Sequence, residues 1–523
     1  MKSYEIAADI KPTERQIKWQ EMGFYAIIYY GMNTFTGREI GDGFAVPEMF
    51  CPEEIDTDEW ANTAKDAAMS GIILTAKHYD GFCNWPTETT DYCVKSSNWL
   101  DGKGDLVKMV ADSTRKAGLK FGLYFPVWDR HEKSFNTEKY NEYLINQVTE
   151  LTSAYGNLFE FIIDDRCDDE MRTDIDYKSI YSVIRKNQPD CAITFRGPDG
   201  RWLGNSRSVL RKEEWSCVPA NYSYDEDGTV PASRKMKKIG QMENDIGSRK
   251  FIKKETEFRW APCEVNCHMR PHWFYRKDDD MLAKTKDKLL ALYMKTTGSN
   301  SNLMLGLAPD KRGHLLDQEI QILQATGHDL QVIFGYNLLL EGKASASSEL
   351  SKLYKVSNVT KDDESFWSAS ADDKKPEIII TFDKEEMFDK VVIMENIRNG
   401  QKIEEFEVFY ENEKGKWKKF AEGTVVGYKK ICAYKPTESR RVKIVFKKYR
   451  KTPEIRMIQI NEKTKSLEIN QETFFYARSL RTSDAIISPA TAGTIALLPG
   501  VCLFPETSSL SLISKGVLAS SFE

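Results

Sequence analysis

Gly71-Ile-Ile-Leu-Thr-Ala-Lys-His-Tyr-Asp80 passes within a single decade of residues from a largely apolar run to a cluster of ionisable and aromatic side chains. A short, uninterrupted apolar run is the pattern of a strand buried on both faces of a parallel sheet. The polar residues that follow then lie at the strand's C-terminal end. Four further runs repeat the pattern: residues 24–30 (FYAIIYY), 119–126 (LKFGLYFP), 158–164 (LFEFIID) and 191–195 (CAITF). Helical periodicity fills the gaps. Tyr140, Leu144, Val148 and Leu151 recur at spacings of four, four and three, which makes one apolar face. Residues 105–117 and 279–297 have the same texture. Repeated βα units predict an α/β fold, a (β/α)8-type barrel over residues 1–335. Barrel sites are built at strand C-termini, so chemistry is sought there.

Past Gly335 the helical period disappears. Short alternating runs separated by turn residues predict an antiparallel β-sandwich over 336–465, with Trp367 and Trp417 as candidate sugar-contacting aromatics. Residues 466–523 form a C-terminal extension. Its stretch 485–505 carries no charge, but three prolines and two glycines there disfavour a membrane span. The whole chain of 523 residues has 74 Lys plus Arg against 79 Asp plus Glu, a net charge of −5. That balance argues against a nucleic-acid partner. The N-terminal segment MKSYEIAADIKPTERQIKW lacks an apolar signal region, so a cytoplasmic location is expected, with a periplasmic or secreted one if a signal has been removed. The ten cysteines then read as scattered reduced thiols rather than staples.

Several constellations can carry chemistry. Lys77-His78-Tyr79-Asp80, followed by Trp85, offers directional polar groups and a ring for the apolar face of a sugar. Asp164 and Asp165 end an apolar strand, where either could be a nucleophile or base. Arg196 begins a polar loop that runs on to Ser206, Glu213 and Glu214. Asp199, Glu213 and Glu214 are the candidates there for the second carboxyl group that a glycosidase needs. Trp260 and Trp273 stand in an aromatic-rich segment suited to a cleft wall. Cys263, Cys267, His268 and His272 within it are ligand types for zinc, but their spacing is awkward for four-point geometry, so no metal is expected. No nucleotide-binding, α/β-hydrolase or zinc-protease motif is present.

These residues resemble the α-L-fucosidases of glycoside hydrolase family 29, particularly the branch selective for α-1,3/1,4-linked fucose. The matching runs are GMNTFTGREIGDG at 31–43, LTAKHYDGF at 74–82, DGKGD at 101–105, GLKFGLY at 118–124, ELTSAYG at 150–156, GPDGRW at 197–202 and RPHWFY at 270–275. The resemblance implies an exo-acting, retaining hydrolase without a cofactor, acting on a fucosylated glycan. It places the nucleophile on Asp164, counted from Tyr155-Gly156, and Asp165 in a glycine slot. His78, Trp85, Tyr124 and Arg196 are retained pocket positions, and Glu39 falls within the first run. Four pocket positions depart. Tyr29 replaces a sugar-contacting histidine, Tyr79 the second of a His-His pair, Ile162 a tryptophan, and Ser206 the expected acid/base glutamate. A serine cannot protonate a leaving group at neutral pH. Glu214, or alternatively Glu213, is therefore expected to supply that proton. The departures also leave open a glycosidase for a related sugar such as an α-L-galactoside, or a catalytically impaired carbohydrate-binding homologue.

Overall fold

A computed structural model of the chain describes residues 2–170, 174–203, 211–229 and 245–462. Eight strands make one parallel sheet. In chain order they begin with β1 (Phe24–Ile28), β2 (Gly71–Thr75), β3 (Lys120–Pro126), β4 (Glu160–Asp164), β5 (Ala192–Phe195) and β6 (Arg201–Leu203). A small antiparallel pair, β7 (Cys217–Pro219) and β8 (Phe258–Trp260), precedes the last two, β9 (Cys263–His268) and β10 (Ser301–Leu307). The hydrogen-bonded path runs β5-β4-β3-β2-β1-β10-β9-β6, a nearly closed barrel. The five apolar runs read from the sequence are β1 to β5.

The pleat sorts every strand into two faces. Phe24, Ala26 and Ile28 of β1, with Ile72 and Leu74 of β2, pack outward under the helices. Tyr25, Ile27 and Tyr29, with Ile73, Tyr124, Ile162 and Met304, fill the barrel interior. The surrounding helices bury the face that the periodicity predicts. Helix Lys139–Ala154 buries Tyr140, Leu144, Val148 and Leu151. Helix Leu106–Lys116 starts where the Asp105 carboxylate accepts the N–H of Lys108 at 2.9 Å, satisfying an otherwise orphaned donor.

The sandwich follows as β11 (Gly342–Ala346), β12 (Trp367–Ser368), β13 (Glu377–Glu395), β14 (Ile403–Glu411), β15 (Trp417–Gly423), β16 (Lys430–Tyr449) and β17 (Glu454–Asn461). All their pairings are antiparallel. The apolar-rich runs EIIITF at 377–382 and KVVIME at 390–395 belong to the single long β13, whose pairing shifts register between Thr381 and Glu386. Trp367 is wholly buried in the sandwich core, and the Trp417 ring lies under Lys443 and Arg441. Of the two candidates for an exposed aromatic, Trp367 is thus a core residue and Trp417 is half-buried beneath two cations. The sandwich is tied to the barrel by polar contacts. Asn300 accepts from the Tyr428 N–H at 2.8 Å, and Gln401 from the Ser216 N–H at 3.0 Å.

The nine described cysteines are all free thiols. Among the described residues no helix is long and apolar enough to cross a membrane. The extension 466–523, with its uncharged stretch 485–505, lies outside the described residues, as does Ser206.

Candidate active site

A cavity of about 150 Å³ opens at the C-terminal mouth of the barrel. Tyr29 just after β1, Tyr124 of β3 and Asp164 and Ile162 of β4 line it, together with His78, Tyr79 and Arg166 from the loops after β2 and β4. Phe195 and Trp202 close one side, edge to face at 4.3 Å. Phe195 holds a φ of 62°, a left-handed conformation that costs a non-glycine residue energy and here sets its ring at the cavity wall. Glu264, Asn266, His268, Met304 and Trp273 complete the lining.

The pleat explains why Asp164 reaches the cavity. Glu160, Ile162 and Asp164 alternate on one face of β4, and Ile162 already lies in the barrel interior. Asp165, one residue on, instead faces Arg196 at 3.5 Å. Two phenols converge on Asp164: the Tyr79 and Tyr124 hydroxyls each donate to its Oδ2 at 2.5 Å. The Arg166 N–H donates to Oδ1 at 2.8 Å. Burial raises the Asp164 carboxyl above its ordinary range, while the Tyr124 and Tyr79 hydroxyls and the Arg166 N–H oppose the rise. Three donors on one buried carboxylate, beside the Arg166 guanidinium, favour its charged form.

His78 is buried and meets Asn33 through Nδ1 at 3.3 Å. Burial, assisted by the nearby Arg166 charge, pulls its pKa down to about 3, so the ring is neutral near pH 7. It lies nearly parallel to the Tyr124 ring at 5.9 Å. Trp273 lies parallel to Tyr29 at 6.4 Å and edge-on to His78. Glu39 does not itself line the cavity. Its Oε2 accepts the Trp273 N–H at 2.9 Å and so fixes that wall.

Among the described residues two carboxyl groups line the cavity, Asp164 and Glu264. Glu264 is deep. Its Oε2 accepts from the Tyr25 hydroxyl at 2.7 Å, and it is coupled to Glu160 at the start of β4. Burial, then the Glu160 charge, raises it well above the ordinary carboxylate range. Glu264 thus forms the floor of the cavity, held by Tyr25 and facing the Glu160 carboxyl.

The whole arrangement suits an uncharged, partly apolar ring held against one carboxylate. A family model described as alpha-L-fucosidase matches residues 13–333, and an F5/8 type C domain model matches residues 343–460. The chain belongs to the α-L-fucosidase family. It is thereby a glycoside hydrolase, in a family that acts with retention of anomeric configuration. Alpha-L-fucosidase 1 of Arabidopsis thaliana is 32% identical over 84% of this chain and 85% of its own length. The crystal structure of a putative α-L-fucosidase from Bacteroides ovatus superposes with a TM-score of 0.77 at 31% identity, covering 88% of this chain and 75% of that one. A Ruminococcus gnavus fucosidase solved in complex with fucose gives 0.77 at 26% identity, over 87% of this chain and 95% of that one.

Within this fucosidase fold the structure gathers Tyr29, His78, Tyr79, Tyr124, Asp164 and Trp273 around one cavity. Other expected site residues lie elsewhere. Trp85 is buried in the outer core, its Nε1 donating to Glu150 at 2.8 Å. Trp260 is buried beside β7 and donates to Gln20 at 2.9 Å. Arg196 is stacked on the Tyr177 and Tyr224 rings, at 4.0 and 3.5 Å, and held toward Asp165. The expected acid/base carboxyls are also displaced. Glu214 is buried in ion pairs with Arg201 and with Arg211, the latter at 3.0 Å. Burial alone would raise its pKa, but the two guanidinium groups outweigh that and hold it below the usual range. A group held ionised in this way does not suit the part of proton donor. Glu213 faces the sandwich, accepting the Thr424 N–H at 3.3 Å with Lys430 at 3.9 Å.

The sequence reading passed over Glu264, Asn266 and His268 as a wall. The signal is period two within residues 263–268: Cys, Val and Cys alternate with Glu, Asn and His. The same alternation splits the zinc-like set, turning Cys263 and Cys267 away from the cavity that His268 faces. Among the described residues no group of three or more His, Cys, Asp or Glu is placed to hold a metal ion.

Proposed function

We propose that the barrel, residues 1–335, releases terminal α-L-fucose from oligosaccharides or glycoconjugates, with Asp164 as the nucleophile. The α-1,3/1,4 linkage preference suggested by the sequence belongs to the same proposal, with the sandwich 336–465 shielding one flank. The observation that carries it is Asp164 at the end of β4, in the cavity at the barrel mouth, with three hydrogen bonds on its carboxylate. A carboxylate so held attacks the anomeric carbon as the glycosidic C–O bond breaks. The sugar is transferred to Asp164 as an ester, which water then hydrolyses. The test is trapping: a 2-fluoro-fucosyl fluoride forms the ester but turns it over slowly. Digestion and mass spectrometry then find the fluorofucosyl group on the peptide containing Asp164. An unlabelled protein, or a label on another acid, removes Asp164 from the role.

The two phenols make a pH-dependent prediction. Tyr79→Phe or Tyr124→Phe removes a hydrogen bond that favours the charged carboxylate. Asp164 then keeps its proton to higher pH, and the ionised nucleophile is lost sooner on acidification. The acidic limb of kcat/KM on a nitrophenyl α-L-fucoside therefore moves to higher pH. Its value at neutral pH falls about 10- to 100-fold, the worth of a hydrogen bond to a charged group. An acidic limb that stays in place in both variants contradicts this account.

A further inference from the structure

Strand β9 presents Glu264, Asn266 and His268 on its inward face, and the upper two have hydrogen-bonding capacity that the protein leaves unused. Asn266 and His268 are 4% and 2% exposed. The Asn266 Nδ2 donates to the Tyr29 hydroxyl at 3.3 Å, but its Oδ1 meets no partner among the described residues. The Nδ1 of His268 is likewise buried and unpartnered. That ring touches its neighbours only by edges, Tyr29 at 5.5 Å and Trp273 at 6.1 Å. The Tyr29 hydroxyl, having accepted from Asn266, keeps its own proton for another acceptor.

Buried polar atoms without partners are rare because their desolvation is uncompensated, and at a cavity wall they call for a ligand that completes them. The wall is built, not incidental. Gly306 of β10 faces it, and a Cβ there would meet the His268 Cδ2 at 2.7 Å and the Tyr29 Cε2 at 3.1 Å. Only a missing side chain lets these two rings approach each other. Burial, then Lys284 and His272, lowers the His268 pKa to about 3, so the ring is neutral with one donor and one acceptor nitrogen. Ile162, Met304 and Phe195 supply apolar surface in the same cavity. Apolar surface beside unpaired donors and acceptors is the complement of a sugar ring, which has a hydrophobic face and hydroxyl edges.

We infer that Tyr29, Asn266 and His268 form a hydroxyl-reading wall that binds neighbouring hydroxyl groups of the glycon. This deepens the proposed fucosidase reading and rests on it for the choice of sugar. The Asn266 Oδ1 accepts from one hydroxyl, the Tyr29 hydroxyl donates to it or its neighbour, and the neutral His268 ring pairs with the next. Tyr29 stands where the family resemblance implies a sugar-contacting histidine. The polar task on this side of the pocket is thus carried by an imidazole two strands away, across β10.

The test is binding rather than turnover. Affinity for L-fucose, and for its analogues lacking one ring hydroxyl each, is measured by calorimetry on the full chain and on Asn266→Leu, His268→Phe and His268→Gln. The phenylalanine keeps the ring shape without its nitrogens, and the glutamine keeps a polar end. His268→Phe is expected to weaken L-fucose about tenfold, with His268→Gln closer to the parent chain. One deoxy analogue is expected to bind His268→Phe and the parent equally well, because its missing hydroxyl is the partner of His268. A merely structural role would weaken every analogue by the same factor, and that result, or L-fucose affinity within about twofold in both His268→Phe and Asn266→Leu, overturns the wall. A parent chain that does not bind L-fucose overturns it as well. If the pattern appears but nitrophenyl α-L-fucoside is not hydrolysed, the fucosidase reading fails and the wall stands. Intact hydrolysis with unchanged binding in the variants gives the reverse.

Discussion

Asp164→Asn is expected to lower kcat/KM on a nitrophenyl α-L-fucoside about 10⁴-fold while leaving the fold intact. The amide is nearly isosteric and still accepts from Tyr79 and Tyr124, but its oxygen does not form a stable glycosyl ester. Four decades correspond to roughly 5 kcal/mol of lost transition-state stabilisation. That is the scale of removing one member of a covalent catalytic unit while its neighbours stay in place. A complementary variant identifies the face of attack. Asp164→Gly opens the space beside the anomeric carbon and leaves the two phenols where they are. Azide entering that space displaces nitrophenolate from the face opposite the leaving group. The product is β-L-fucosyl azide, inverted relative to the substrate, because no second displacement follows. Chromatography and the anomeric NMR coupling report it directly. Asp164→Asn within tenfold of the parent chain would sink the assignment.

The barrel was legible because β1 to β5 are apolar on both faces. In a parallel sheet under helices that produces continuous runs such as FYAIIYY and GIILTA. The reading stops where the strand's inward face turns polar. Residues 263–268, CEVNCH, form β9 with the inward face given to the floor and wall of the site, so no apolar run marks it. Of the barrel strands outside those five runs, β9 is the one that carries unrecognised polar site residues. Strand β6 spans only Arg201–Leu203, too short for periodicity to register. Asp164 could be found from its position at a strand end. Separating it from Asp165 took the family slot, and in the structure the pleat and the Arg196 ion pair give the physical reason. Trp85, Trp260 and Arg196 were drawn toward the site by their neighbours in sequence. Each instead meets a partner distant along the chain, Glu150, Gln20 or Asp165.

Glu214→Gln is expected to damage stability and spare chemistry. Adjacent glutamates in a loop read as a solvated pair, and a missing acid/base made them attractive donors of a proton. The structure gives Glu214 a different task. It is almost wholly buried between Arg201, itself buried, and Arg211, and Arg201 also donates to the Ala261 and Trp215 carbonyls. Neutralising the carboxylate leaves two guanidinium groups facing each other without their counter-charge in a desolvated place. Removing one partner of such a cluster costs about 3–5 kcal/mol, far more than the cluster contributes over an apolar replacement. The folded-state pKa is depressed, so this stabilisation is present above the ordinary carboxylate range and is lost as pH falls through the lower, folded value. Glu214→Gln should therefore melt well below the parent chain at neutral pH, with the difference shrinking on acidification. The fraction that remains folded should keep a kcat on aryl α-L-fucosides close to that of the parent, because Glu214 lies outside the cavity that holds Asp164. Calorimetry and active-site titration on the same sample separate the two effects. A variant that melts like the parent but has lost a hundredfold or more in kcat would return Glu214 to the chemistry and require the loop carrying it to swing toward Asp164.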